Sequence, residues 1–581
     1  AMAQAPFSEV SPISPVSLGR SQEDRESVAV NHEITSMSAG FTRLTSHLIE
    51  ELGTTELLED LGGELCNASP LGTCLRGCGR YWCLKADINV EDVTVPSHYY
   101  DAFVSHEWGS SGLLKVLTLT MTYNLGAATV ATFLGSLFLG VLRVFELLPD
   151  DERTVAIGYA IFFVFICFWQ RIRECFCKPH LMFVDKLCIE QKDAREKTKG
   201  ILSLAAFLKR SKTLVLLWSP LYFQRLWCTF ELVSFLRERE VGVEVLPVKM
   251  VVLIAHLNVT WQLLRIVMKV MNSSDTIATE ITSWFTILSL LGLVVLPFYH
   301  YLGLKIIADI SELPQQLKTF QIQEAKCTCC SRNHVDPETG AEIACDRKLV
   351  LYTLKKWQTS QDEDYLQSFN ALVRQNLLSI FVNTLEGSFL PLSFYIKMAI
   401  CANAPWLSDL VSELYAELQV LDPNMGGLDL SFCIINKVLD FLNVYLVMIL
   451  LARSSFTLWR CAVLLRHHVP LWLLSFFLII PMLPLSVALV TLAYFPLYMS
   501  PKTSPLPFGC FMLMVLAVIV VFSRPCCRKT NSSRVSLRSV SSQESSFPSL
   551  RSTSTPNGAL SHSTLNSSSE PSGDDESTFS I

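Results

Sequence analysis

The sequence predicts an α/β domain built on a parallel sheet. A helical membrane hairpin is inserted into that domain, and an α-helical polytopic membrane region follows it. Three observations predict this. Short apolar runs alternate with helix-patterned segments between residues 95 and 250. Two uncharged stretches lie inside that same interval. Further uncharged stretches recur between 377 and 523. Composition agrees, since half of the 581 residues are apolar and only 17% are charged, against about 25% in soluble domains. The net charge of −6 gives no case for a nucleic-acid partner. The nineteen cysteines are spread through apolar and polar segments alike, which is not the pattern of a secreted disulfide framework.

Taken in chain order, residues 1–35 are rich in Ser, Pro and acidic side chains and are expected to be disordered. They lack the apolar core of a signal peptide, so this end is expected in the cytosol. Residues 36–94 are expected to form a helical, Cys-containing segment, in which Cys66, Cys74, Cys78 and Cys83 make a loose metal-ligand set. The α/β domain is placed at 95–250. Its first strand candidate is Tyr99–Val104. The hairpin occupies about 113–172: residues 116–142 carry no charge between Lys115 and Arg143, and 154–170 carry none between Arg153 and Arg171. The short link between them is acidic. Lys115, Arg171, Arg173 and Lys178 at the feet favour the cytosolic side. Beyond the hairpin, Leu181–Val184, Thr213–Trp218 and Val243–Val248 read as strands, the second apolar throughout as in a strand covered on both faces. Ile201, Leu204, Ala205 and Leu208 follow helical spacing. Ser219-Pro220 predicts a helix start, with the helix running to Glu240.

Residues 251–304 are expected to be a linker and a membrane-associated helix, and 305–376 a soluble Cys-containing segment. Spans are expected within 377–523, at 377–402, 433–452, 469–497 and 505–523, each near the ~20 residues a crossing needs. Arg453, Arg460 and Arg466, and then Arg524, Arg528 and Lys529, favour the cytosol. That puts 403–430 outside and 305–376 inside. A single crossing at 281–304 would break this parity. Either that segment is re-entrant or interfacial, which is the expectation, or 248–271 crosses with it, against the cost of His256, Gln262, Arg265 and Lys269. Glu386 and Lys397 lie eleven residues apart, near three helical turns, so both would point one way. Residues 524–581 read as a disordered Ser-rich tail, and Cys526 and Cys527 beside basic residues suit palmitoylation.

Four motifs, in order, carry a resemblance. They are Tyr100-Asp101-Ala102-Phe103-Val104-Ser105-His106, then Phe183-Val184-Asp185-Lys186 continuing through Asp193, then Thr213 to Tyr222, then Trp227-Cys228-Thr229-Phe230-Glu231-Leu232. Together they resemble the Toll/interleukin-1 receptor (TIR) domain, plant type, over about a quarter of the chain. The resemblance implies a flavodoxin-like parallel sheet. The sequence departs from the family in the inserted hairpin, in lacking the animal-type loop motif, and in showing no late Phe-Trp box.

The resemblance also implies chemistry. Some TIR domains cleave the nicotinamide–ribose bond of NAD, with a helix glutamate stabilising the cationic transition state. By motif position that residue is Glu231, four residues from Trp227 and from Phe235. The candidate substrate-binding residues are Ser105, His106, Trp108, Gly109, Asp185, Lys186, Trp218, Ser219, Trp227 and Cys228. Lys192 is a further candidate phosphate contact. Self-association through the 186–198 loop is implied as well. Separately, Cys327, Cys329, Cys330, His334 and Cys345 offer enough soft ligands for a structural zinc. The expectation is a membrane-anchored TIR-like signalling protein with NAD as substrate and the lipid bilayer as partner. The alternatives are a non-catalytic TIR scaffold, or a transporter or channel regulated by a TIR-like domain.

Overall fold

The computed structural model describes residues 66–82, 88–149, 152–192, 194–238, 242–272, 294–335, 345–357, 364–377, 392–420 and 426–523. The expectations for 1–65, for Cys83, Glu386, Cys526 and Cys527, and for the tail lie outside these residues, as does the first part of 281–304.

Six strands form one sheet: β1 (Cys66–Pro70), β2 (Val95–Ser97), β3 (Tyr100–His106), β4 (Leu181–Phe183), β5 (Ser211–Trp218) and β6 (Val243–Pro247). Their order is β2-β1-β4-β3-β5-β6. The four strands expected from the sequence are all parallel: β4 pairs with β3, β3 with β5, and β5 with β6. The sheet as a whole is mixed, because β1 runs antiparallel to both β4 and β2. The predicted boundary at 95 therefore moves. Part of the segment expected to be helical supplies β1, which lies between β2 and β4 and covers the outer side of β4, itself only three residues long. Cys-Asn-Ala-Ser-Pro in β1 carries no alternation that would mark it as a strand.

Along the parallel set the chain order is second, first, third, fourth, so the direction of winding reverses between β3 and β5. Ligands of open parallel sheets bind outside the carboxyl ends of the strands at such a reversal. Leu214 to Leu217 are fully buried, as a strand covered on both faces requires. Tyr100, Phe103, Phe183 and Phe207 stack or meet edge-on within the core.

Between β3 and β4 the crossover is the hairpin itself, α1 (Gly112–Val144) and α2 (Glu152–Glu174). Asn124 Nδ2 donates to Ile166 O, and Gln170 Nε2 to Asn124 Oδ1, each at 2.8 Å. Such buried amides hold helices together where apolar contact alone does not discriminate. After β4 come α3 (Ala194–Leu202) and α4 (Leu204–Lys209), then α5 (Leu226–Glu238). The predicted helix start at Ser219-Pro220 is not used. Tyr222–Gln224 forms one 3₁₀ turn, and Arg225 is extended, because its backbone bridges to Lys326.

The remaining helices are α6 (Met250–Asn272), α7 (Leu296–Lys318), α8 (Asp346–Trp357), α9 (Leu392–Asn403), α10 (Leu407–Val420), α11 (Gly427–Val463), α12 (Leu471–Phe477), α13 (Ile479–Met499) and α14 (Leu506–Ser523). Among the described residues five helical stretches are long and apolar enough to cross a membrane: Gly112–Val144, Arg153–Glu174, Gly427–Val463, Leu471–Leu497 and Leu506–Ser523. The predicted boundary at 304 falls inside α7, which continues through Lys305, Asp309 and Glu312. The expected outer loop 403–430 is largely helical, as α10, whose Asp409 pairs with Arg143 at the end of α1.

Candidate functional site

The carboxyl ends of β3 and β5 gather most of the predicted residues. Ser105 and His106 close β3, with Ser105 opposite Leu216 and His106 opposite Leu217 of β5. Both are buried, as are Trp218 and Ser219 at the end of β5. Helix α5 lies against this end and delivers Glu231. Ser105 Oγ donates to Glu231 Oε2 at 2.5 Å and lies 2.6 Å from the Tyr222 hydroxyl. Tyr222 Oη also donates to Cys228 O at 3.1 Å, and Cys228 Sγ donates to His106 O at 3.4 Å. Strand β3 and helix α5 are thus joined by a chain of side-chain hydrogen bonds. The sequence reading missed Tyr222 as a member of this chain. Its signal is the 3₁₀ turn after β5, which places a phenol over the strand end.

Burial sets the electrostatics. Glu231 is pushed up to about 8 by loss of solvent, with the Ser105 hydrogen bond pulling it partly back and the Asp185 charge adding to the rise. His106 is held well below its ordinary value by burial and by the positive charge of Lys115, and is therefore neutral. It stands edge-on to Trp82 and stacks near Trp108. Among the described residues no hydrogen bond joins His106 to the Glu231 carboxylate.

Trp108 and the 185–186 pair form a second group. Trp108 Nε1 donates to Asp185 Oδ2 at 2.8 Å, and the Lys186 ammonium lies 5.8 Å from the Trp108 ring centre. Asp185 is pushed up to about 6 by burial, against the stabilising N–H of Lys186 and the indole of Trp108. The two groups communicate through charge, since Asp185 raises Glu231. Gly109 is needed for a close approach, although the group that approaches is the chain's own. Gly109 N donates to Glu107 Oε1 at 2.6 Å, and a Cβ at Gly109 would lie 2.5 Å from that oxygen. Glu107 is buried and also accepts from Ser219 Oγ at 3.5 Å. The predicted set did not include it. Trp218 is buried, and its indole N–H has no protein partner among the described residues. Lys192 donates to Asn89 Oδ1 at 3.0 Å.

Trp227 serves another contact. Its Nε1 donates to Asp346 Oδ2 at 3.0 Å, tying the first turn of α5 to α8. Here the cysteine segment begins. Cys329, Cys330, His334 and Cys345 place one donor atom each within 4.8 Å of one another. The Sγ atoms of Cys330 and Cys345 are 3.7 Å apart. Cys327 joins a second group with Cys329 and Asp346 instead. His334 sits at φ 59, in the left-handed region, and its Nε2 is buried with no hydrogen-bond partner among the described residues. Among the described residues Cys66 and Cys74 do not join a cluster. Cys66 Sγ accepts from Arg210, and Cys74 Sγ lies 4.0 Å from Ser69 O. Comparison of the chain with protein-family models, with curated proteins and with solved structures gives no match.

Proposed function

We propose that the chain is a membrane-anchored signalling protein whose TIR-like, flavodoxin-like domain faces the cytosol and cleaves the nicotinamide–ribose bond of NAD. The observation that carries this reading is the position of Glu231, buried at the carboxyl end of β3 at the winding reversal and hydrogen-bonded to Ser105. A carboxylate there would stabilise the ribosyl cation that develops as nicotinamide leaves. The pyridinium of NAD, itself cationic, would draw the carboxyl into its ionised form on binding. The unpartnered indole N–H of Trp218 supports the reading, because a buried donor without a partner costs about 1–3 kcal/mol and a ligand acceptor would satisfy it. The membrane hairpin would hold copies in one plane, and self-association through 186–198 would then be favoured by raised local concentration.

The test is incubation of the purified, reconstituted protein with NAD, with and without enforced clustering. Glu231→Gln keeps the shape and removes the charge, and should lower cleavage by about a hundredfold or more. A wild-type protein that leaves NAD intact when clustered overturns the enzyme reading. The scaffold reading has its own support in the same contact, since Glu231 Oε2 already accepts from Ser105 and so completes a bond within the fold.

A zinc ion at Cys329, Cys330, His334 and Cys345 is the second part of the proposal. Tetrahedral zinc with Zn–S bonds of about 2.3 Å sets its sulfurs about 3.8 Å apart, which matches the 3.7 Å between Cys330 and Cys345. Three thiolates and one imidazole make a structural donor set rather than one that leaves a position open for water.

A further inference from the structure

We infer that the Cys329–Cys330–His334–Cys345 site is a metal-dependent clamp on the helix that carries Glu231; this rests on the zinc reading above and adds what the metal controls. The segment that bears the ligands is docked on the start of α5 by backbone and side chain together. Lys326 N donates to Gln224 O at 2.6 Å, and Leu226 N donates to Lys326 O at 3.2 Å. Leu226 is the first residue of α5, so one of the N–H groups that a helix start leaves unpaired is satisfied from the cysteine segment. Arg225 Nη2 donates to Thr328 Oγ1 at 3.0 Å, and the Trp227 indole donates to Asp346.

The ligands sit on both sides of this dock. Cys329, Cys330 and His334 belong to the strip that follows Lys326, whereas Cys345 directly precedes Asp346. Asp346 N donates to Cys329 Sγ at 3.3 Å, an N–H directed at a sulfur as the outer partners of a metal thiolate are. Arg347 binds back to the carbonyls of Gln323 and Ala325. A metal held by all four ligands therefore fixes Asp346 relative to Lys326, and these two residues are the ones that grip Trp227 and Leu226. Without the metal the two strips are joined near α5 by these hydrogen bonds and by the packing of Ala325, Cys329 and Cys345 in the core, with no bond that fixes Cys345 to Cys330. Glu231 lies on the next turn of α5, so the clamp sets where its carboxylate stands against Ser105.

The experiment uses the full chain in detergent or nanodiscs. Metal content should be one zinc per chain, lost in Cys345→Ser and in His334→Ala. Cobalt exchanged into the site should give the absorption of a tetrahedral thiolate complex. Hydrogen exchange of residues 226–238 should rise at least several-fold when a chelator removes the metal, and should return on adding zinc. The reversible wild-type measurement stands even if a cysteine variant fails to fold. Cys175→Ser, at an exposed cysteine on the hairpin foot, should change neither reading. A chain that holds no metal, or one in which Cys330 and Cys345 form a disulfide as isolated, overturns the zinc reading and the clamp with it. A chain that holds one zinc while exchange in 226–238 is indifferent to its removal keeps the metal site and overturns the clamp.

Discussion

Glu231 is a carboxyl group that the fold keeps protonated near neutral pH, and this gives it a measurable signature. Below about 4.5 the group is protonated in both the folded and the unfolded chain. As pH rises from there, only the unfolded chain releases the proton, until the folded group follows near 8. The stabilisation is therefore complete at low pH and is lost as pH climbs through this window, at about 1.4 kcal/mol per pH unit for one proton. Asp185, pushed up to about 6, adds its own decline over a lower window. Melting temperature against pH should be less steep between about 4.5 and 8 in Glu231→Gln than in the wild type; identical slopes would mean that the carboxyl is solvated. If Glu231 acts as the anion, kcat/KM for NAD should rise with pH toward a midpoint near 8. Ser105→Ala removes the hydrogen bond that pulls Glu231 down and should move that midpoint upward; a midpoint that stays or falls contradicts the coupling. Ser105, Asp185 and Glu231 were singled out by their positions in the motifs that carry the resemblance, and the fold brings Ser105 and Glu231 into contact. Tyr222 and Glu107 were not, since nothing in the local pattern shows that a phenol and a second carboxylate fold back onto a strand end. Trp227 was read as a neighbour of Glu231 from helical spacing alone, and spacing does not show that α8 stands opposite its ring.

At the scale of elements, the parallel strands were legible because burial on both faces leaves uninterrupted apolar runs such as Leu214–Leu217. Strand β1 was not, because its identity depends on pairing with β4 and β2 rather than on its own side chains. The helix start at Ser219-Pro220 was misplaced for a similar reason. The local capping signal is real, but Arg225 is drawn into an extended bridge by a segment a hundred residues later. The contact between α7 and α11 offers a test of packing. Gly303 faces Trp459 so closely that a Cβ would lie 2.3–2.5 Å from the indole ring. The same ring donates from Nε1 to His300 Nδ1 at 2.9 Å, so it is held in place. Gly303→Ala should cost about 1–3 kcal/mol through overpacking, read as a lower melting temperature in detergent. Pairing it with Trp459→Leu should recover part of the loss. A Gly303→Ala protein as stable as the wild type would mean that α7 slides freely along α11.

Across the whole molecule, contacts assign segments to two ends of the helical bundle. Arg143, in the last turn of α1, pairs with Asp409 at the hairpin tip. α10 also holds Lys437, through Glu413, and Lys502, through Glu417. The start of α11 and the link before α14 therefore lie at the tip end. At the sheet end, Arg466 binds Ala308 and Glu312 of α7, whose continuation docks on α5. α6 starts beside the sheet and climbs until Trp261 and Gln262 reach Asn403 and Ala402, and α7 returns to the sheet. Both helices therefore have a part beside the sheet, joined by Lys249 and Asp309. Of the four residues that weigh against a crossing by 248–271, Gln262 finds Tyr159 and Ala402 inside the bundle. An epitope at Thr503 should thus be accessible from the side opposite to epitopes near Lys197 and beyond Ser523. Protease reaching Thr503 and Lys197 from one face of sealed vesicles would overturn this arrangement. The hairpin between β3 and β4 also fixes an order of events in synthesis. β4 cannot meet β3 until the intervening hairpin, whose two helices are long and apolar enough to cross a bilayer, has left the ribosome. Until that moment β3 waits with both of its edges open, and β5, made later still, cannot substitute for the missing neighbour on the other side. A copy that misses the insertion machinery should never assemble its sheet. Wherever Glu231 proves to act, it would then act only in copies that have already reached a membrane, with no pool of finished domain in the surrounding fluid.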